Sequence, residues 1–145
     1  MSREQRYNPF MNDRRLTFAL ALVFISSIIA AETPNFAGEY ADKKFLNEQG
    51  VFQLSLEQSG NNVSIFFSAG YNDGHGAGPE ADGTGKVTAK GTVEFTWEDG
   101  FKNSGSGTIT RTPDGVILSI KTTRVADPRC LAFYRQNIRL PRVKK

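Results

Sequence analysis

Thr92-Val93-Glu94-Phe95-Thr96-Trp97-Glu98 alternates without a break: Val93, Phe95 and Trp97 fall on one side, and Thr92, Glu94, Thr96 and Glu98 on the other. Successive side chains of a strand point to opposite faces, so this period of two predicts a strand with one buried and one wet face. Working toward the N-terminus, the same alternation recurs in Val51 to Gln58, through Phe52, Leu54 and Leu56, and in Val63 to Ala69, through Val63, Ile65 and Phe67. Gly60-Asn61-Asn62 between them supplies residues that tolerate left-handed backbone in a tight turn. Toward the C-terminus, Gly105 to Arg111 and Val116 to Lys121 read as strands around Pro113-Asp114-Gly115, a turn with Pro and Gly in favoured places.

Three weaker segments complete the set. Gly38-Glu39-Tyr40 centres a short first strand, Thr84 to Lys90 follows a Gly-rich loop over 70–83, and Leu131 to Leu140 ends the series with Leu131 and Phe133 on one side. The stretch Ala41 to Gln49 has room for one turn of helix, and Pro128 blocks a helix from running into the last strand. The expected fold class is therefore all-β: an antiparallel up-and-down meander of eight strands, closed into a barrel because closure removes exposed edges and gives the inward residues one core. A two-sheet β-sandwich is the alternative. Leu54, Leu56, Ile65, Phe67, Val93, Phe95, Trp97, Leu118 and Ile120 are expected inside.

The first 31 residues are read separately. Arg14 and Arg15 precede the apolar run from Leu16 to Ile29, which ends in Ala30-Ala31 before Glu32. A positive flank, an apolar stretch shorter than the ~20 residues of a membrane span and small residues at its end have the anatomy of a secretory signal peptide. The expected organisation is a signal peptide over 1–31 and one barrel domain over 32–145. The expected location is outside the cytoplasm: periplasmic if the host is Gram-negative, otherwise secreted. The single cysteine, Cys130, cannot close an internal disulfide, so core packing must hold the exported domain together; the residue reads as a half-buried small apolar side chain.

Charge is unevenly distributed. Residues 32–145 carry 14 Lys+Arg and 13 Asp+Glu, a net charge of +1 that gives no argument for nucleic acid. From Arg129 to the end there are six basic residues and no acidic one, whereas 32–128 is net −5. A basic last strand and tail, with Arg139, Arg142, Lys144 and Lys145, is thus a candidate contact for an anionic envelope component or a protein.

Several short motifs resemble the calycins, the group of exported barrels that includes lipocalins and avidins. Gly38-Glu39-Tyr40 is similar to the lipocalin Gly-x-Trp with Tyr in place of Trp. Asp82-Gly83-Thr84-Gly85, Val93 to Trp97 and Asn103-Ser104-Gly105 resemble the middle of an avidin repeat. The resemblance implies a barrel, and a basic residue of the last strand, Arg135 or Arg139, packed across the first strand. It does not imply biotin binding, because Trp97 is the only tryptophan.

Catalytic patterns are sparse. No Gly-x-Ser-x-Gly elbow occurs, and Gly83-Thr84-Gly85-Lys86 lacks the rest of a phosphate-binding loop. Asp73, His75, Glu80 and Asp82 place one imidazole among three carboxylates in the Gly-rich loop. This is a weak candidate metal set without the spacing of an EF-hand, and the basis of a second alternative, a metal-dependent enzyme. The expectation is a binding protein rather than an enzyme, with no cofactor. Its candidate cavity is lined by Tyr40, Phe52, Phe67, Phe95, Trp97 and Phe133, an aromatic setting suited to a small hydrophobic or amphipathic ligand. The competing expectation is that these rings simply fill the barrel.

Overall fold

The computed structural model describes residues 32–145; the signal peptide read over 1–31 lies outside the described residues. Eight strands follow in order: β1 (Gly38–Phe45), β2 (Gly50–Ser59), β3 (Asn62–Tyr71), β4 (Glu80–Val87), β5 (Val93–Asp99), β6 (Ser104–Arg111), β7 (Gly115–Arg124) and β8 (Ile138–Pro141). Each pairs antiparallel with the next in a single sheet. The sheet curls until β1 meets β8, where Tyr40 bridges Arg142 and the Val143 N–H donates to the Glu39 carbonyl at 2.8 Å. The result is a nearly closed up-and-down barrel, not a two-sheet sandwich. β8 is too short to cover all of β1. The remainder of β1 carries Lys43, Lys44 and a break in register between Asp42 and Phe45, features that discourage a foreign strand from adding to an edge.

All nine residues expected inside are buried. Phe95 and Trp97 stand side by side on β5, and the strands flanking it leave room for them with glycine. Gly83 and Gly105 oppose Trp97, while Gly85 and Gly107 oppose Phe95. A Cβ on Gly85 would sit 2.6 Å from the Phe95 Cβ, and one on Gly107 would run into the Phe95 ring. Large rings on one strand therefore require absent side chains on its neighbours.

Three weaker readings are corrected. β4 begins at Glu80, four residues before Thr84, so the Gly-rich connection shrinks to 72–79. Ala41 to Gln49 holds no helical turn: β1 continues to Phe45, and Leu46, Asn47 and Glu48 make a tight turn at φ of 55, 55 and 71°. Leu131 to Leu140 is not one strand. Pro128–Ala132 forms a 3-10 helix whose first turn is capped by Asp127, which accepts the Arg129 N–H at 3.0 Å, and only Ile138–Pro141 is β. Pro at the start of such a helix is favoured, since its missing N–H has no partner there anyway. Leu131 is consequently exposed while Phe133 is fully buried.

Both ends of the barrel are stoppered. At the lower end, Phe36 tucks beneath the first strand, with its N–H donating to Gln58 Oε1 at 2.8 Å while Gln58 Nε2 donates to the Pro34 carbonyl at 2.9 Å. At the upper end, the 3-10 helix and the residues after it insert Cys130, Phe133 and Tyr134.

Candidate functional site

The candidate cavity residues all lie inside. All six belong to one core, and four of them meet other rings there: Phe52 stacks on Phe67 at 5.7 Å between centroids, Phe67 meets Trp97 edge-on at 5.6 Å, and Phe45 links Phe52 at 5.3 Å to Phe133 at 6.5 Å. Tyr134 closes the chain against Trp97 at 4.7 Å. These separations are those of aromatic pairs in contact. Trp97 Nε1–H donates to the Ser106 carbonyl at 3.1 Å, so the indole is anchored as well as packed.

Tyr40 lies at the lower end of this core. Its hydroxyl donates to the Phe36 carbonyl at 2.7 Å and accepts from Arg142 Nη2 at 3.0 Å, while Arg142 Nη1 donates to the Ala37 carbonyl at 3.2 Å. The guanidinium carbon lies 5.1 Å from the centre of the Tyr40 ring. Burial pushes the Tyr40 phenol above its ordinary pKa, and Arg142 and Arg111 draw it partly back. The residue packed across Gly38-x-Tyr40 is thus Arg142, not Arg135 or Arg139. Ile138 and Leu140 point inward, so Arg142 shares their side of the strand and Arg139 does not; Arg135 precedes β8 and donates to the Ala132 carbonyl. Gly38, at φ 149°, makes the clasp feasible, because a Cβ there would lie 2.5 Å from Arg142 Nη1. Arg139, Lys144 and Lys145 are exposed and form no ion pair with another described residue.

The four weak metal candidates are not brought together. Asp73 accepts the His75 N–H at 3.1 Å and contacts its Nδ1, while the imidazole stacks on Tyr71 at 4.1 Å. These bonds hold the Asp73 carboxyl below its usual range, the backbone N–H contributing most. Glu80 and Asp82 stand on the outer face of β4. Among the described residues, no group of three or more His, Cys, Asp or Glu side chains is placed to hold a metal ion.

One polar cluster was not anticipated from the sequence. Asp99 is only 4% exposed and accepts four hydrogen bonds: from the N–H groups of Phe101 at 2.8 Å and Asn103 at 2.9 Å, from Asn103 Nδ2 at 2.8 Å, and from the Tyr134 hydroxyl. Asn103 Oδ1 in turn accepts the N–H groups of Ala126 and Asp127 at 2.7 and 2.9 Å. The β5–β6 turn is thereby fastened to the plug at the upper end. Burial, and then the bond to Asp99, push the Tyr134 phenol far above its ordinary pKa. Burial also raises the neighbouring Cys130 thiol to about 11, which leaves it unreactive as a nucleophile near neutral pH.

A depression lies on the outside of the barrel, over β3 to β6. It measures about 840 Å³ and is lined by side chains that include Ser64, Thr84, Lys86, Glu94, Thr96 and Ser106. It lies over the strands that carry the four inner-face glycines.

Compared with known proteins, the chain matches no family model, no curated protein and no solved structure.

Proposed function

We propose that this chain is an exported, non-enzymatic barrel of calycin type that works by contact through its outer surface, meeting a protein or an anionic envelope component with its basic C-terminal edge. The observation that carries the reading is the interior: all six side chains available to line a cavity are buried in one core, four of them ring against ring, and both ends of the barrel are stoppered. A hydrophobic ligand would have to part those rings before it could enter. The outer basic residues Arg139, Lys144 and Lys145 form no ion pair with another described residue. The calycin assignment rests on the Gly38-x-Tyr40 strand clasped by a cation from the last strand, and export rests on the residues before Glu32. Catalysis is disfavoured because, among the described residues, His75 has Asp73 as its only acidic partner.

The test uses the processed protein from its native host, mixed with vesicles containing anionic lipid or with envelope extract. Contact through exposed charges should weaken as salt rises, because the screening length contracts to about 8 Å at physiological strength. Replacing Arg139, Lys144 and Lys145 by alanine, with Arg142 kept, should abolish it. A lipophilic dye that binds the triple variant as well as the parent, at any salt, would instead establish the cavity reading.

A further inference from the structure

In an up-and-down barrel alternate connections share an end. The β2–β3, β4–β5 and β6–β7 turns therefore gather at the lower end with the start of the described chain and the C-terminal tail. Hydrogen bonds tie these segments together: Thr33 Oγ1 donates to Asn61 Oδ1 at 3.2 Å, and the Arg142 N–H donates to the Asp114 carbonyl at 2.8 Å. The residues between strands, with the strand ends that flank them, bring five cations to this end: Lys90, Arg111, Arg142, Lys144 and Lys145. Glu32 and Asp114 are the two acids among them. The corresponding residues of the upper end comprise four cations and five acids, so the barrel is electrically polar along its axis. Ion pairs are distributed the other way. Those between described residues, Lys44–Glu48, His75–Asp73, Lys102–Glu98 and Arg129–Asp127, all belong to the upper half. The five lower cations are exposed, and none of them pairs with a described carboxylate.

We propose that the lower end of the barrel is the face that meets an anionic phospholipid bilayer, with the barrel standing end-on to the membrane. This rests on the contact reading above and names the partner and the orientation. An anionic leaflet attracts Lys and Arg side chains held close to its surface, and that attraction fades within a Debye length of about 8 Å. Charges collected at one end therefore count together, whereas Arg139, on the outer side of β8, counts less. Lys90, Arg111 and the tail come from three separate segments around the rim, an arrangement that a plane of headgroups can touch at once. Val143, 41% exposed beside Arg142 and Lys144, adds an apolar side chain for the interfacial layer. It borders an open hollow of about 750 Å³ with Gly38, Glu39 and Lys144, where Glu39 is the nearest opposing charge. An acidic peptide added as a strand would need free backbone edges beside these cations. The β4–β5 and β6–β7 turns close hairpins and offer none.

The experiment measures partition of the processed protein onto phosphatidylcholine vesicles with and without about 30% phosphatidylglycerol. Binding should require the anionic lipid and fall as salt rises toward physiological strength. Lys90→Ala and Arg111→Ala should each weaken it about fivefold, the loss of one surface charge, and Lys90→Glu/Arg111→Glu should remove it. Arg124→Glu, a reversal at the upper end, should leave it unchanged. These side chains are exposed, so the variants should melt as the parent does. In nanodiscs of the anionic composition carrying a spin-labelled lipid, the amides of 60–61, 89–91 and 114–115 should broaden while those of 47–48 and 74–76 keep their intensity. Broadening at 47–48 and 74–76 instead would overturn the orientation. If Lys90→Glu/Arg111→Glu binds like the parent while alanine at Arg139, Lys144 and Lys145 does not, the tail alone makes the contact; this inference then falls and the contact reading stands. Failure of the parent to bind anionic vesicles at low salt also overturns it, and leaves the contact reading to envelope extract. Polyglutamate that displaces the protein from vesicles at equal anionic charge would assign the surface to an acidic protein and overturn the bilayer as partner.

Discussion

Asp99 at the upper end of the barrel and Arg142 at the lower end solve one problem in opposite surroundings. Each continues the inward side of its strand one step past the apolar residues: Val93, Phe95 and Trp97 lead to Asp99, and Ile138 and Leu140 lead to Arg142. Each meets a tyrosine hydroxyl, that of Tyr134 or Tyr40, and through it fastens an irregular segment over the end of the barrel. The difference is burial. Asp99 is enclosed and satisfied by four donors, whereas Arg142 lies exposed across the outside of a ring. Loss of a buried acceptor strands its donors without water, while loss of an exposed cation leaves groups that water can reach.

The largest effect therefore belongs to Asp99. Asp99→Ala leaves three N–H groups and a phenol without their acceptor and should cost about 3–5 kcal/mol, read as a lower urea midpoint. Asp99→Asn keeps the shape and one acceptor oxygen but turns an amino group toward donors, so it should fall between the parent and the alanine variant. A loss below about 1 kcal/mol in the alanine variant would mean that the upper lock is ornamental.

Next in size is the phenol that answers Asp99. Tyr134→Phe removes a hydrogen bond to a carboxylate and should cost about 1.5–3 kcal/mol. It should also change the alkaline limit of the protein. The folded state holds protons on Cys130 and Tyr134 that the unfolded chain releases above the ordinary values of 9.0 and 10.0. Their contribution is fully present below pH 9 and is lost as pH rises, for Cys130 between 9 and about 11 and for Tyr134 from 10 upward. Urea midpoints taken at increasing pH should fall less steeply above pH 10 in Tyr134→Phe than in the parent. Equal slopes would show that Tyr134 is no more buried from solvent than an ordinary tyrosine.

The same comparison explains what could be read in the sequence. β2, β5 and β7 announce themselves because large apolar residues alternate with polar ones. β4 does not, because its inward positions are Ala81, Gly83 and Gly85; the glycines that accommodate Phe95 and Trp97 erase the contrast that marks a strand. At the C-terminal end, Leu131 and Phe133 are two apart as in a strand, and the cue against it was local: Asp127 before Pro128, a cap before a helix start. Asp99 stands directly before Gly100, a pairing common in turns. Its inward parity after Trp97, with Asn103 four residues on, was the legible sign of a buried acid. Parity likewise separates Arg142 from Arg139, once the register of the last strand is counted from Leu140. The outer depression was beyond reach, because its hydroxyls come from four strands and only register sets them side by side.

The lower lock can be probed from its backbone side. Gly38→Ala introduces a methyl at φ 149° and toward Arg142 Nη1, and strain of this kind costs about 1–3 kcal/mol. Much of the steric part should disappear in the double variant Gly38→Ala/Arg142→Ala, since the obstructing guanidinium is gone. If the double variant is simply the sum of the two singles, the guanidinium does not lie where its hydrogen bonds place it.

The smallest effect is expected at Arg142 itself. Arg142→Ala loses a cation over a ring and two hydrogen bonds in water's reach, together worth about 1 kcal/mol, well short of the loss at Asp99. Salt should scarcely alter that figure, because the partners are a carbonyl, a phenol and a ring face rather than a carboxylate. Arg142→Lys should recover only part of it, as an ammonium cannot reach the Ala37 carbonyl and the Tyr40 hydroxyl with a planar fork. Because β1 and β8 are joined by one bridge at this point, the local consequence should exceed the global one: amide exchange at Tyr40 and Val143 should quicken in Arg142→Ala while the centres of β5 and β6 keep their protection. Uniformly faster exchange across the sheet would place Arg142 in the same energetic class as Asp99, and burial would no longer distinguish the two ends.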